Sequence, residues 1–498
     1  MTQALTFLVS LSPFAVFIYL LLKKNLALAK TSFVTLGLTL ALAFFYWRIV
    51  PQAAFVSLGK GFFVAFDIFV ILGGAIFFLE ILKRFGVIEA VSYYLESFSK
   101  DHRIQVILLA WFLENFIEGT AGFGTPSAIV APLLVGLGIE PLTAAVLSLF
   151  GNSSSVVFGA AGAPIRIGFA GLNVSQVPYY AALINIIGMI VPLFMLWTVV
   201  KDHQNKKQLF WEAVPFALWS GFIFVVSSFL LVPFGQEFPS IIGAVVGVIL
   251  VFVTIRLGIF VPKNIHRIRP IEKLEPKLSL AKTIFPYAFL VGILVLGKFL
   301  LGNLSLKIPF GVNHLISLFN PGFAFVLAGL VVVLFWRKPE KFVLKTAGFS
   351  LKQASGPFLV IIAMSAMVQL MINSGNNFSG LPSLIATVAK AFETQWLPFL
   401  APFAGAFGSF LTGSATISNI LFGGFLSEAA SVLSMSAPII LSLILVGGAA
   451  GNMIALADML AAETVVGLKH KEREILRRIF WPCLIYVVLA GIVGMVII

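Results

Sequence analysis

Residues 111–165 read WFLENFIEGTAGFGTPSAIVAPLLVGLGIEPLTAAVLSLFGNSSSVVFGAAGAPI. The run is apolar enough to lie in a bilayer. Yet it carries the carboxylates Glu114 and Glu118, the small polar side chains Thr120, Thr125, Asn152, Ser153, Ser154 and Ser155, and glycines at short intervals. Inert membrane helices do not combine these features. Glycine permits sharp bends and close approach of a ligand to the backbone. Irregular backbone at membrane depth is tolerated only where it is buried in protein or lines a wet cavity. The stretch therefore reads as one half of a solute-binding site.

The rest of the chain has the same character. Its 498 residues are 60% hydrophobic and 11% charged, which excludes a water-soluble domain of this size. Runs long enough to span recur throughout. They are expected at 4–22, 32–50, 62–82, 104–118, 120–139, 141–158, 180–200, 212–233, 237–255, 284–301, 320–336, 356–373, 395–411, 413–433, 436–450, 452–467 and 479–498. The Gly-rich members 120–139, 141–158, 413–433, 436–450 and 452–467 are candidates for re-entrant or broken helices. The expected fold is an all-α polytopic membrane protein of about 12–14 transmembrane helices. The N-terminal run lacks a basic flank and a small-residue cleavage site, so it reads as a retained first span.

A net charge of +13 could suggest nucleic acid, but no basic domain exists to bind it. Most Lys and Arg lie in short loops: 23–30, 83–103, 201–207, 256–282, 337–352 and 469–478. Such loops are cytoplasmic, which puts the N-terminus outside. The loop 256–282, punctuated by Pro262, Pro270 and Pro276, reads as a linker between halves. One cysteine, Cys483, excludes an intramolecular disulfide and a thiolate cluster. His102, His203, His266, His314 and His470 lie in or beside loops without metal-ligand spacing. No cofactor or metal is expected.

The two halves contain a repeat. Phe116-Ile117-Glu118-Gly119 recurs as Phe410-Leu411-Thr412-Gly413. Each is followed by a Gly/Ser/Thr-rich run, a proline (Pro141, Pro438), another apolar run and Gly-Asn (Gly151-Asn152, Gly451-Asn452). Chance similarity between two low-complexity apolar segments is the alternative. The loop charges make the first unit start inside and the second outside, provided that 383–393 is an interfacial helix. Inverted repeats of this kind, with discontinuous helices meeting near the midplane, build many secondary transporters. The chain then divides into N-terminal spans (1–103), repeat 1 (104–200), a helical hairpin with basic linker (201–283), central spans (284–394), repeat 2 (395–478) and a last span (479–498).

Glu118-Gly119-Thr120-Ala121-Gly122-Phe123-Gly124-Thr125-Pro126, followed by Leu134-Val135-Gly136-Leu137-Gly138, resembles the bacterial L-lactate permease family. So do Ala160-Ala161-Gly162-Ala163-Pro164-Ile165 and Gly413-Ser414-Ala415-Thr416-Ile417-Ser418-Asn419-Ile420-Leu421-Phe422. The resemblance is close over 110–165 and 405–480. It implies a multi-pass secondary transporter of the inner membrane that moves lactate or a related 2-hydroxy monocarboxylate by proton symport. Two positions depart from the family pattern: its Asp is Ala415 here, and its Lys is Asn452. One anion and one cation are lost together, as if an internal ion pair had been deleted.

Intramembrane carboxylates are expensive unless paired or protonated, and are usually functional. Glu118, with Glu114 one turn earlier on the same face, is the leading proton-coupling candidate. Its bland alternative is a structural acceptor for the turn that follows. Asp458 and Glu463 are candidates to replace the lost site. The substrate carboxylate and hydroxyl are expected to meet Thr120, Gly122, Gly124, Thr125, Asn152, Ser153, Ser154, Ser414, Thr416, Ser418, Asn419 and Asn452. Half-helix N-termini favour such an anion, although small residues also serve plain helix packing. Arg166 either pairs the anion or snorkels to the outer interface. Asp67 reads as a buried polar contact and Glu80 as interfacial. The rival coupling ion is Na⁺, held by Asn152, Asn419, Asn452 and unwound carbonyls. An intramembrane enzyme finds no nucleophile–base pair or metal motif within the spans. A channel fits the paired interruptions less well than alternating access.

Overall fold

A computed structural model describes residues 2–24, 26–122, 124–266, 278–302, 304–307, 315–337 and 340–498. Phe123, His314 and the linker prolines Pro270 and Pro276 lie outside the described residues. Helices dominate. The chain opens with α1 (Thr2–Leu22), α2 (Leu28–Phe45), α3 (Pro51–Arg84) and α4 (Val87–Glu96). Repeat 1 follows as α5 (His102–Ile107), a π-helical turn, α6 (Glu114–Thr120), α7 (Thr125–Gly136), α8 (Pro141–Gly151), a 3₁₀ turn (Ser154–Phe158) and α9 (Gly159–Arg166). Then come α10 (Val177–Ile184), α11 (Val191–Val200), α12 (Lys206–Leu231), α13 (Pro239–Leu257) and α14 (Leu280–Leu301). A small antiparallel hairpin, β1 (Ser305–Lys307) and β2 (Leu315–Ser317), pairs Ser305 with Ser317. It precedes α15 (Pro321–Phe335), α16 (Glu340–Asn373) and α17 (Leu384–Ala389). Repeat 2 is α18 (Leu397–Thr412), α19 (Ala415–Val432), α20 (Ala437–Asn452) and α21 (Leu456–Val465), and α22 (Glu472–Ile497) closes the chain.

Among the described residues, nine helical segments are long and apolar enough to cross a bilayer. A tenth is added if Pro141–Gly151 and Ser154–Arg166, bent by 41°, count as one span. Four shorter apolar helices stand beside them: Leu5–Leu21, Thr125–Gly136, Pro321–Phe335 and Leu397–Thr412. The twelve-to-fourteen range is reached only when these shorter helices count as passes.

Local sequence sets the element ends. Proline occupies the first turn of α8, α13, α18 and α20, where its missing N–H goes unmissed. Gly124 (φ 74°) and Gly413 (φ 70°) take left-handed backbone where α7 and α19 are separated from the helices before them. Ser414 then caps α19, its Oγ accepting from Ile417 N at 3.4 Å. Several expectations are corrected. The spans at 62–82 and 356–373 are parts of 34-residue helices, α3 and α16. The loop 83–103 contains α4, and the span at 104–118 carries the π turn Leu108–Leu113. By contrast, the short helix expected at 383–393 is present as α17 and the 3₁₀ turn Lys390–Phe392 that follows it.

Contacts fix the relation of the repeats. Arg103, at the start of α5, donates to Leu209 O and Asn264 O on the Lys/Arg-rich side. Arg478 of α22 donates to Thr143 Oγ1 at the start of α8, on that same side. The equivalent helices of repeat 2 begin on the opposite side. Ser442 near the start of α20 donates to Val177 O, and Pro398 of α18 packs against Gly494 at the far end of α22. The units therefore run in opposite senses. They also exchange their last half-helices: α21 packs on α7 and α8, while the 3₁₀ turn and α9 pack on α20 and α19. Each unit contacts the other through corresponding parts, as a two-fold relation requires. Polar contacts cross between the units at Asn419 to Pro164 O and Ser442 to Val177 O, and Asn152 meets Asp458 where the helices break.

Candidate functional site

Four interruptions converge between the repeats: residues 121, 122, 124 and 152–153 from repeat 1, 413–414 and 453–455 from repeat 2. Asp458, in the first turn of α21, is 2% exposed. Its Oδ2 accepts from Asn152 Nδ2 at 2.9 Å and from Asn452 Nδ2 at 3.3 Å. The two asparagines are the matching Gly-Asn pairs of the two repeats. Asp458 Oδ1 lies against Gly124, where an added Cβ would stand 2.6 Å away. Among the described residues no ion pair joins Asp458, Glu118 or Glu114 to a cation. The place that Asp458 holds after Gly451-Asn452 is taken by Phe158 after Gly151-Asn152.

Glu118 sits beside this centre, 3% exposed. Its Oε1 faces Gly122 and Gly159, where added Cβ atoms would come within 3.1 and 2.2 Å. Glu114, fully buried, accepts from Ser127 Oγ at 3.0 Å. The three acids are within electrostatic reach of one another. The unwound segment around them is strained: Ala160 (φ 42°), Ala161 (φ 53°) and Gly162 (φ 80°) form a left-handed turn at the start of α9. Non-glycine residues adopt that conformation at about 1–2 kcal/mol each. Such strain clusters at sites where it serves function.

The small polar candidates divide. Asn152, Asn452 and Gly124 touch Asp458 directly, and Gly122 lies against Glu118. Thr120 donates to Ile117 O (2.8 Å), Ser153 to Phe150 O (2.6 Å) and Ser418 to Gly405 O (2.8 Å), so these hydroxyl protons are engaged in local backbone contacts. Asn419 Nδ2 donates to Pro164 O at 3.0 Å, tying α19 to the tip of α9. Ser414 caps α19, and Thr416 is buried in its first turn. Thr125 begins α7 and is half-buried. Ser154 Oγ is buried without a partner. Glu463 is not paired with Asp458: its Oε1 accepts from Lys471 N at 2.8 Å at the basic rim. Arg166 also lies away from the centre, 3.6 Å from Asp67, and Glu80 pairs with Arg84. Ala415 packs near Gly448, one turn before Asn452. Of the two departures from the family pattern, Asn452 thus touches Asp458, and Ala415 packs on α20 one helical turn earlier.

Sequence reading passes over a supporting network. Tyr486 OH of α22 donates to Asn185 Oδ1, and Asn185 Nδ2 donates to Ser154 O at 3.0 Å. Ser240 Oγ donates to Ser155 O at 2.7 Å. These bonds satisfy carbonyls that the broken helix leaves free. Asn115, fully buried, has both amide atoms unpartnered. The available signal is a lone Tyr or Asn within an apolar run.

The family model described as L-lactate permease matches residues 6–302 and 299–498. An L-lactate permease of Salmonella typhimurium is 28% identical over 98% of this chain and 95% of its own. The glycolate permease GlcA of Escherichia coli is 27% identical over the same shares of the two chains. Among solved structures, the Alcanivorax borkumensis YdaH transporter aligns with TM-score 0.48 and 13% identity, covering 89% of this chain and 87% of that one.

Proposed function

The chain belongs to the L-lactate permease family, and from that premise we propose that it carries L-lactate or a related 2-hydroxy monocarboxylate by proton symport across the bacterial inner membrane. It is a multi-pass transporter and not an enzyme. One observation carries the coupling proposal. Asp458 is buried between two amides from opposite repeats and has no cation partner among the described residues. A carboxylate in such a place is tolerated when paired or protonated, so a proton is its natural counterpart during translocation. Glu118, and Glu114 behind it, extend the acidic line within repeat 1.

The substrate carboxylate and hydroxyl would be held by backbone N–H groups and side chains at the breaks, chiefly near Gly122, Gly124, Asn152, Ser414 and Asn452. Alternating access would come from tilting one packed unit against the other about the shared centre. Uptake of radiolabelled L-lactate and glycolate into membrane vesicles, with and without an imposed pH gradient, tests this. Asp458→Asn should abolish gradient-driven accumulation and leave lactate–lactate exchange measurable. Accumulation by that variant at the wild-type level would remove Asp458 from coupling. The Na⁺-coupled alternative rests on the buried, unpartnered Oδ1 atoms of Asn152, Asn419 and Asn452. Uptake that follows a sodium gradient and ignores protons selects it.

A further inference from the structure

On the side opposite the basic loops, a cavity of about 360 Å³ opens at the tip of repeat 1. Its charged lining consists of two pairs. Arg166, the last residue of α9, faces Asp67 of α3 at 3.6 Å. Lys298 of α14 reaches both carboxylate oxygens of Glu237, at 3.1 and 3.3 Å. The pairs are unequal. Lys298 is hydrogen-bonded to a carboxylate that is almost completely buried. Arg166 stands beyond hydrogen-bonding distance of Asp67 and donates no hydrogen bond among the described residues. Asp67 has a second, weaker neighbour, Asn320 Nδ2 at 3.5 Å. A guanidinium offers five donors in a planar fork that matches a carboxylate. Here that fork lines the cavity, its donors uncommitted among the described residues.

The position of Arg166 gives this meaning. Two residues earlier, Pro164 O accepts from Asn419, and two residues later Gly168 packs against the same asparagine. A second cavity of about 20 Å³ shares Val64, Ile167 and Ala170 with the first and reaches Gly168 and Ile420 of α19. An anion held by Arg166 therefore sits on the segment that closes over the central acids, next to a narrow continuation toward repeat 2.

We propose that this vestibule is an outer loading site for the carboxylate of the transported anion. Arg166 exchanges Asp67 for the incoming carboxylate, and Lys298 supplies the second positive charge. The site is separate from the Asp458 centre, and it rests on the reading of the chain as a carboxylate carrier.

Zero-trans influx of radiolabelled L-lactate into right-side-out vesicles, with the full chain, tests it. Arg166→Gln should raise the influx KM about tenfold, the loss expected of one charge-assisted hydrogen bond, and Arg166→Lys should restore part of it. Asp67→Asn frees the guanidinium and should lower KM by about threefold, the scale of a partly exposed ion pair. Glu237→Gln, which releases Lys298, is a second variant expected to lower KM should either α3 or α9 variant fail to reach the membrane. Opposite signs for cation removal and anion removal are the signature, since mere disruption of structural pairs would impair all variants alike. Wild-type influx KM with Arg166→Gln, or a KM that Asp67→Asn and Glu237→Gln raise or leave unchanged, overturns the loading site alone. A wild-type protein that moves no lactate removes the carrier reading and the loading site with it.

Discussion

Asp458 is held by one amide from each repeat, so neither asparagine is replaceable without leaving the carboxylate short of a donor. Asn152→Ala and Asn452→Ala should each lower thermal stability by about 1 kcal/mol, and each should displace the pH profile of uptake. Denaturation in detergent together with uptake across a pH series checks both effects. Gly124 is a harsher case. Its φ of 74° disfavours any side chain, and a methyl there would press on Asp458 Oδ1. Gly124→Ala should reduce uptake far more than the roughly 1–2 kcal/mol of backbone strain would suggest. A variant with normal uptake would show that Asp458 tolerates displacement. At this scale the sequence reveals which residues are unusual but not whom they meet. Glu118, Asp458, Asn152 and Asn452 stand out because polar groups are costly in an apolar run. That Asn152 reaches across to Asp458 depends on the crossing of the repeats, and no local pattern encodes it. The same limit explains Glu463. It lies five positions beyond Asp458, yet its carboxylate turns to the Lys471 amide at the membrane edge.

Helix pairing in repeat 2 depends on missing side chains. An added Cβ at Gly405 would meet Ile444 O at 2.0 Å, and one at Gly447 would meet Pro402 O at 2.0 Å. Helices α18 and α20 thus touch backbone to backbone, the close approach that small residues permit in membranes. Gly405→Ala or Gly447→Ala should destabilise by about 1–3 kcal/mol through overpacking. Gly348 in α16 has open space around it, so Gly348→Ala should be neutral or stabilising by up to about 1 kcal/mol. Thermal-shift measurements on purified protein distinguish the two classes, and equal effects would refute the packing account. Element types were largely legible, because Gly-rich interruptions and apolar runs have distinct signatures. Element lengths were not. α3 and α16 each run about 50 Å at 1.5 Å per residue, well beyond the roughly 30 Å of a bilayer's hydrocarbon layer. The first part of α3 (51–61) and the basic end of α16 (340–355), which read as loop, continue as helix because each helix packs along the other.

At the scale of the whole molecule, a buried ion pair ties together distant loops on the basic side. Arg103 pairs with Asp101 at 2.7 Å and bridges to the carbonyls of Leu209 and Asn264, while Asp101 also accepts from His266 N. Removing one member of a buried pair costs about 3–5 kcal/mol, so Arg103→Gln should lower the melting temperature sharply. The neighbouring histidines add a pH dependence. Burial, followed by the charge of His266, pushes His102 down from 6.5 to about 4. Burial also lowers His266, with His203 next to it as the second cause. The folded state then binds fewer protons than the unfolded state between those values. Stability should be full above about pH 6.5 and fall as the pH drops toward 4. Melting curves across that range check it, and His102→Asn should flatten the decline. Three of the five histidines, which looked scattered in sequence, are gathered here by loops from distant parts of the chain.

The unequal acids of the two repeats have a consequence for rectification. A carrier with strict two-fold symmetry would rest equally well facing either compartment. Here Asp458 serves one half, and Phe158 fills the matching place in the other. The vacant protein should therefore settle toward one compartment. The final accumulation ratio would stay fixed by the driving gradients, while saturating flow inward and outward through the same vesicles would differ.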